Sequence, residues 1–151
     1  MTGRARPAAA VAAIAVAVAA GGCAGSSRTD DDYRHKAANT AETARSAVKT
    51  VRLGVQADDR HKVTGPYLSI LVGRAEDQLS SVQQTFDSRQ PPSHRADDIR
   101  DALDKLLVQA SDTVSGVRIA VRRGELGNLH RFAKDLDDVA DQLDKAEQEW
   151  R

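Results

Sequence analysis

The fold class this chain predicts is all-α, an up-down-up-down bundle of four helices. Three observations carry that expectation. Apolar residues recur every three or four positions from about Asp32 to the C-terminus. Gly65-Pro66, Pro91-Pro92 and the Gly124–Asn128 stretch interrupt the pattern at intervals that suit helix-to-helix turns. No segment alternates with period two, and aromatic residues make up only 3% of the chain, which argues against strands.

The first helix is expected from about Asp32 to His61. Ala37, Ala41, Ala44, Val48, Val51 and Val55 form a heptad-like seam. Their small side chains allow a neighbouring helix to come close. Thr64-Gly65-Pro66 breaks the pattern, and Pro66 suits the first turn of a second helix, where its missing N–H costs nothing. That helix places Leu68, Leu71, Ala75, Leu79, Val82 and Phe86 on one face and ends before Pro91-Pro92.

Ser93 is the expected N-cap of the third helix, with Asp97, Asp98 and Asp101 following it. Ile99, Leu103, Leu106, Ala110, Val114, Val117 and Val121 form its seam. Acids lie early and Arg118, Arg122 and Arg123 lie late, an order that complements the helix dipole. The fourth segment carries Leu126, Leu129, Ala133, Leu136, Ala140, Leu143 and Trp150, with Phe132 and Val139 alongside. Gly124 and Gly127 leave its start open. Gly54, Gly73 and Gly116 fall inside helices, where each costs about 1 kcal/mol relative to alanine. They mark either close crossings or mild destabilisation.

The N-terminus reads differently. Met1–Pro7 holds Arg4 and Arg6 and no acid, and Ala8–Ala20 is wholly Ala, Val and Ile. Gly21-Gly22-Cys23 follows. A basic start, a short apolar run and a small-residue cleavage site describe a secretory signal. The apolar run is too short for a helix that crosses a membrane, which takes roughly 20 residues.

Ala20-Gly21-Gly22-Cys23 resembles the lipobox of bacterial lipoproteins, with Ala20 standing where leucine is usual. The resemblance covers only the N-terminal segment. It implies diacylglyceryl transfer to the Cys23 sulfur, cleavage after Gly22 and acylation of the new amine. The excess of Arg over Lys, with abundant Ala, Asp and Val, is similar to proteins of high-GC actinobacteria. The competing reading is an ordinary signal cleaved after Ala17-Val18-Ala19, which leaves a free thiol. Cys23 is the only cysteine, so no internal disulfide can form, and attachment gives it a use. Two or three acyl chains would anchor stably where one would not.

These features divide the chain into a signal (1–22), a lipidated Cys23 with a flexible tether (23–32) and a bundle domain (33–151). Removing Arg4 and Arg6 from the 22 basic residues leaves 20 against 22 acidic ones. The mature chain is therefore near −2, which does not suit a nucleic-acid partner.

Chemistry is hard to locate. His35, His61, His94 and His130 all fall near helix ends. His35 and His94 are expected at the tether end, and His61 and His130 at the far end. Asp58 and His61 have i,i+3 spacing, but no second pair completes a metal site, so neither metal nor cofactor is expected. Gly-x-Ser-x-Gly, a Walker loop, His-Glu-x-x-His and Cys-x-x-Cys are absent. No catalytic residue is nominated. Asp135, Asp137, Asp138, Asp141, Asp144, Glu147 and Glu149 make the fourth helix acidic. They read as a solvated face with local pairs such as Asp141 with Lys145, or as a docking face for a basic partner or cation. Phe86 and Phe132 are expected in the core. Tyr33 and Trp150 share the tether end, where they either meet the lipid interface or cap the bundle.

The function these features suit is a non-enzymatic, lipid-anchored extracytoplasmic bundle. It touches the cell membrane through Cys23 and binds an envelope protein or polymer. A small-ligand sensor and a structural spacer at the membrane surface are the alternatives.

Overall fold

A computed structural model describes residues 29–151. The expected signal, Cys23 and most of the expected tether lie outside the described residues. Helix α1 spans Asp30–Asp59, α2 Gly65–Asp87, α3 His94–Arg122 and α4 Ala133–Trp150. A 3₁₀ segment, Leu126–Phe132, leads into α4. No strand occurs among the described residues.

The connections are short, so successive helices run antiparallel. Side-chain pairs fix the order. Arg118 of α3 meets Glu76 of α2 at 2.8 Å, and Arg52 of α1 meets Asp137 of α4 at 2.9 Å. Ser93, at the start of α3, donates to Asp30 at the start of α1 at 2.7 Å, so those two helices run parallel. The architecture is the expected up-down-up-down bundle.

Helix α1 packs against all three other helices, while α2 and α4 have next to no contact. Its seam of Ala37, Ala41, Ala44, Val48, Val51 and Val55 is fully buried, as the small side chains allow. Ala38, Ala47 and Gly54 are buried too. The sequence pattern read α1 as having a single seam. A helix with three neighbours needs a wider apolar stripe.

The helix ends have local causes. Thr29 caps α1, its Oγ1 accepting from the Asp32 N–H at 3.1 Å. Asp30, Asp31 and Asp32 then sit in the first turn, where negative charge complements the positive end of the helix dipole. Helix α1 thus begins two residues before the expected Asp32, because the three acids belong to its first turn. Ser93 caps α3 as expected, accepting from the Ala96 N–H at 3.3 Å.

The far ends of α1 and α3 close in the same way. His61 N–H bonds to Asp58 O and Lys62 N–H to Ala57 O, both at 2.8 Å. Gly124 N–H bonds to Val121 O at 3.1 Å and Glu125 N–H to Ala120 O at 3.0 Å. Each is a Schellman cap built around a left-handed residue. Gly124 (φ 73°) fills that position at one end and His61 (φ 54°) at the other.

The fourth segment is split, because Gly124 and Gly127 stop a regular helix from starting at Leu126. Leu129 is still fully buried from the 3₁₀ segment, so the seam continues through the irregular turn. The other seams follow the pattern with small rotations. Val72 and Leu107 are buried, while Leu71, Val82, Ile99, Leu106 and Phe132 are partly so.

Candidate functional site

Four places could carry function: the tether end, the far-end turns, the acidic face of α4 and the groove between α1 and α2. Cys23, the predicted lipidation site, lies outside the described residues.

At the tether end, Tyr33 is fully buried and Trp150 is 6% exposed. Tyr33 stacks at a tilt on Phe86, with ring centroids 5.2 Å apart. Both aromatics cap the bundle. Their burial agrees with the capping reading, Tyr33 resting against Phe86 of α2. Burial without a hydrogen-bond partner pushes the Tyr33 phenol up to about 12, with Asp104, Asp97 and Asp87 adding to the rise and Arg100 opposing it.

The four histidines are exposed. Among the described residues no group of three His, Cys, Asp or Glu side chains could hold a metal ion. His94 Nδ1 lies 3.5 Å from its neighbour Asp97. At the opposite end Asp58, Asp59 and His61 line a cavity of about 380 Å³ with Thr64, Gly65, Leu126 and Gly127. Burial raises the Asp58 carboxyl above its ordinary range, Asp59 adds to the rise, and His61 opposes it. The i,i+3 pair is thus part of a helix cap.

The α4 acids are not simply a solvated face. Arg45 of α1 pairs with both Asp144 and Glu147, the latter at 3.0 Å. Arg52 holds Asp137, and Arg151 holds Glu147 at 2.6 Å and Glu42 at 3.0 Å. Glu147 is buried at 6% exposure. Its Oε2 faces Arg45 without forming an aligned hydrogen bond. The pairing expected between Asp141 and Lys145 is replaced within α4 by Lys134 and Asp138. Asp135, Asp141 and Glu149 stay on the surface. One signal in the sequence could have revealed the cross-helix ladder. Arg45 and Arg52 are seven residues apart on α1, and so are Asp137 and Asp144 on α4.

The groove between α1 and α2 was not singled out by sequence reasoning. Its outer half is a cleft of about 230 Å³ lined by Ala47, Thr50, Tyr67, Ile70, Leu71 and Arg74, among others. Tyr67 and Ile70 are 56% and 59% exposed. Leu53, one turn beyond Thr50 on α1, is 64% exposed. No carboxylate lines this cleft, although charged residues make up 29% of the chain. Tyr67 and Ile70 escaped notice because they lie beside the seam of α2, where a pattern search expects polar residues.

Comparison with protein-family models, curated proteins and solved structures found no match to the chain.

Proposed function

We propose that this chain is a lipid-anchored, extracytoplasmic helical bundle without catalytic activity. In this reading it is held to the cell membrane through acylated Cys23 and binds an envelope protein in the α1/α2 cleft. The observation that carries the binding half is the cleft itself. Tyr67 and Ile70 expose apolar surface on the half of the bundle remote from the tether. Arg74 contributes positive charge and no acid offsets it within the lining. The partner that fits is an amphipathic helix with an apolar stripe and a carboxylate opposite Arg74. A small-ligand site is favoured less, since about 230 Å³ falls short of the roughly 300–1,000 Å³ of ligand pockets.

Two experiments test the two halves. Mass spectrometry of the mature N-terminus, with Cys23→Ala as control, should find a diacylated or triacylated Cys23. Cleavage after Ala19, or a retained signal, sinks the anchor. A photo-crosslinking residue at Ile70 in intact cells should capture one protein, through an acidic helical segment. The same probe at Asp141 on α4 should not. Equal capture at both positions sinks the cleft as the binding surface.

A further inference from the structure

Among the described residues two acids are buried, Asp58 and Glu147. Glu147 lies between Arg45 and Arg151. Asp58 is 8% exposed, yet its carboxyl makes no hydrogen bond or ion pair with any described residue. The Schellman cap of α1 uses only its backbone oxygen, which accepts from the His61 N–H at 2.8 Å. A buried carboxyl with neither a donor nor a counter-charge is costly, so its place in the fold needs a reason.

Asp58 lines the far-end cavity of about 380 Å³, a volume within the roughly 300–1,000 Å³ of ligand sites. The end of α1, the start of α2 and the start of the 3₁₀ segment build this cavity together. Leu126 closes against Gly65, where an added Cβ would lie 3.3 Å from Leu126 Cδ1. Asp59 brings a second carboxylate, and Thr64 brings a hydroxyl that does not cap α2. Arg60 and Lys62 are neighbours in sequence, but no Lys or Arg lines the cavity. His61 adds positive charge only when protonated. The N-terminus of α2 contributes about half a positive charge, which two ionised carboxylates outweigh.

We propose that this cavity binds a primary ammonium group carried on an alkyl stem, from either a free alkylamine or a lysine side chain. An ammonium presents three donors, which match Asp58, Asp59 and the Thr64 hydroxyl. Val63 and Leu126 are half-buried and offer apolar surface to the methylenes of the stem. A metal ion does not suit the same lining, since among the described residues no group of three His, Cys, Asp or Glu could hold one. The cavity shares no lining residue with the α1/α2 cleft, so the two sites stand or fall separately.

The test is a titration of the isotope-labelled full chain, followed by amide NMR shifts slightly above neutral pH. The probes are n-butylammonium and Nα-acetyl-lysine methylamide. Both should give shifts confined to Asp58–Gly65 and Leu126–Gly127 that saturate at roughly millimolar concentration. Tighter binding of the lysine amide assigns the ammonium to a protein side chain, and tighter binding of butylammonium assigns it to a free amine. Asp58→Asn should weaken both about tenfold, as expected for losing a hydrogen bond between charged groups. Asp59→Asn should also weaken them and serves if the first variant folds poorly. Asp141→Asn, on the surface of α4, should keep the wild-type affinity. Butyltrimethylammonium carries the same charge without N–H donors and should not saturate. An absence of saturable shifts with both amines overturns the proposal. So does equal binding of butyltrimethylammonium, or wild-type affinity in both Asp58→Asn and Asp59→Asn.

Discussion

Gly54 and Gly73 sit in adjacent helices and have opposite reasons to be glycine. A Cβ at Gly54 would lie 2.9 Å from Leu68 Cδ1 and 3.2 Å from Leu71 Cδ2, both in the α1/α2 interface. Leu68 is fully buried and has little room to move. A Cβ at Gly73 would meet nothing within 4 Å. Gly73→Ala should therefore raise stability by about 1 kcal/mol through helix propensity alone. Gly54→Ala gains the same propensity but overpacks the interface by roughly 1–3 kcal/mol, so it should stabilise nothing and lower the melting temperature. Paired urea melts of the two variants check this contrast. Gly116 belongs with Gly54, since its missing Cβ leaves room for the Phe132 ring. The two Schellman caps offer a second comparison. His61 has φ 54°, where a side chain costs roughly 1–2 kcal/mol that glycine avoids. His61→Gly should be stabilising by about 1 kcal/mol, and Gly124→Ala destabilising by a similar amount. Equal melting temperatures in these two variants would contradict the cap geometry.

At the scale of helices, charge fixes the register of α1 against α4. Arg45 and Arg52 face Asp144 and Asp137, two residue pairs of equal spacing on antiparallel helices. Sliding α4 by one turn would separate both pairs at once. Glu147 is 8% exposed at its side chain and depends on Arg45 and Arg151. Arg45→Ala leaves Arg151 in place, so the loss should be about 1–3 kcal/mol, the range for leaving a buried polar group unsatisfied. A double-mutant cycle with Glu147→Gln should show coupling, because the two side chains touch. Independent effects would mean that packing, not charge, sets the register. Exposed pairs such as Lys134 with Asp138 should contribute far less, since both partners stay in water.

At the scale of the whole molecule, pH acts through groups whose proton affinity burial raises. Asp58 and Asp104 are both raised above 3.8, mainly by desolvation. The folded state then binds protons more tightly than the unfolded chain at these sites. Their contribution is fully present below the ordinary carboxylate range and is lost as the pH rises through the raised folded values. Tyr33 acts in the same sense in base, where stability falls as the pH climbs from 10 toward about 12. Thermal melts across pH should show both declines. Tyr33→Phe should remove the alkaline one at little cost near neutrality, because its hydroxyl has no partner to lose.

Much of this architecture is written locally. The helical period, the Ser93 cap, the break at Thr64–Pro66 and the left-handed Gly124 each depend on residues within a turn of one another. The same holds for the small seam of α1, whose Ala and Val residues already permit a close crossing. The lipobox-like Ala20-Gly21-Gly22-Cys23 is equally local, and the anchor drawn from it is a reading of sequence alone.

The remainder depended on which helices become neighbours. Only packing shows that α1 meets three helices, so that Ala38, Ala47 and Gly54 are buried beside the expected seam. The turn of Glu147 inward between arginines and the exposed cleft at Tyr67 and Ile70 are equally nonlocal. A periodic pattern records which face of a helix is apolar, because burial acts on each side chain separately. It does not record which charges will face one another across a seam. That is decided by the register of helices far apart in the chain, and it is there that this bundle's acids acquired partners.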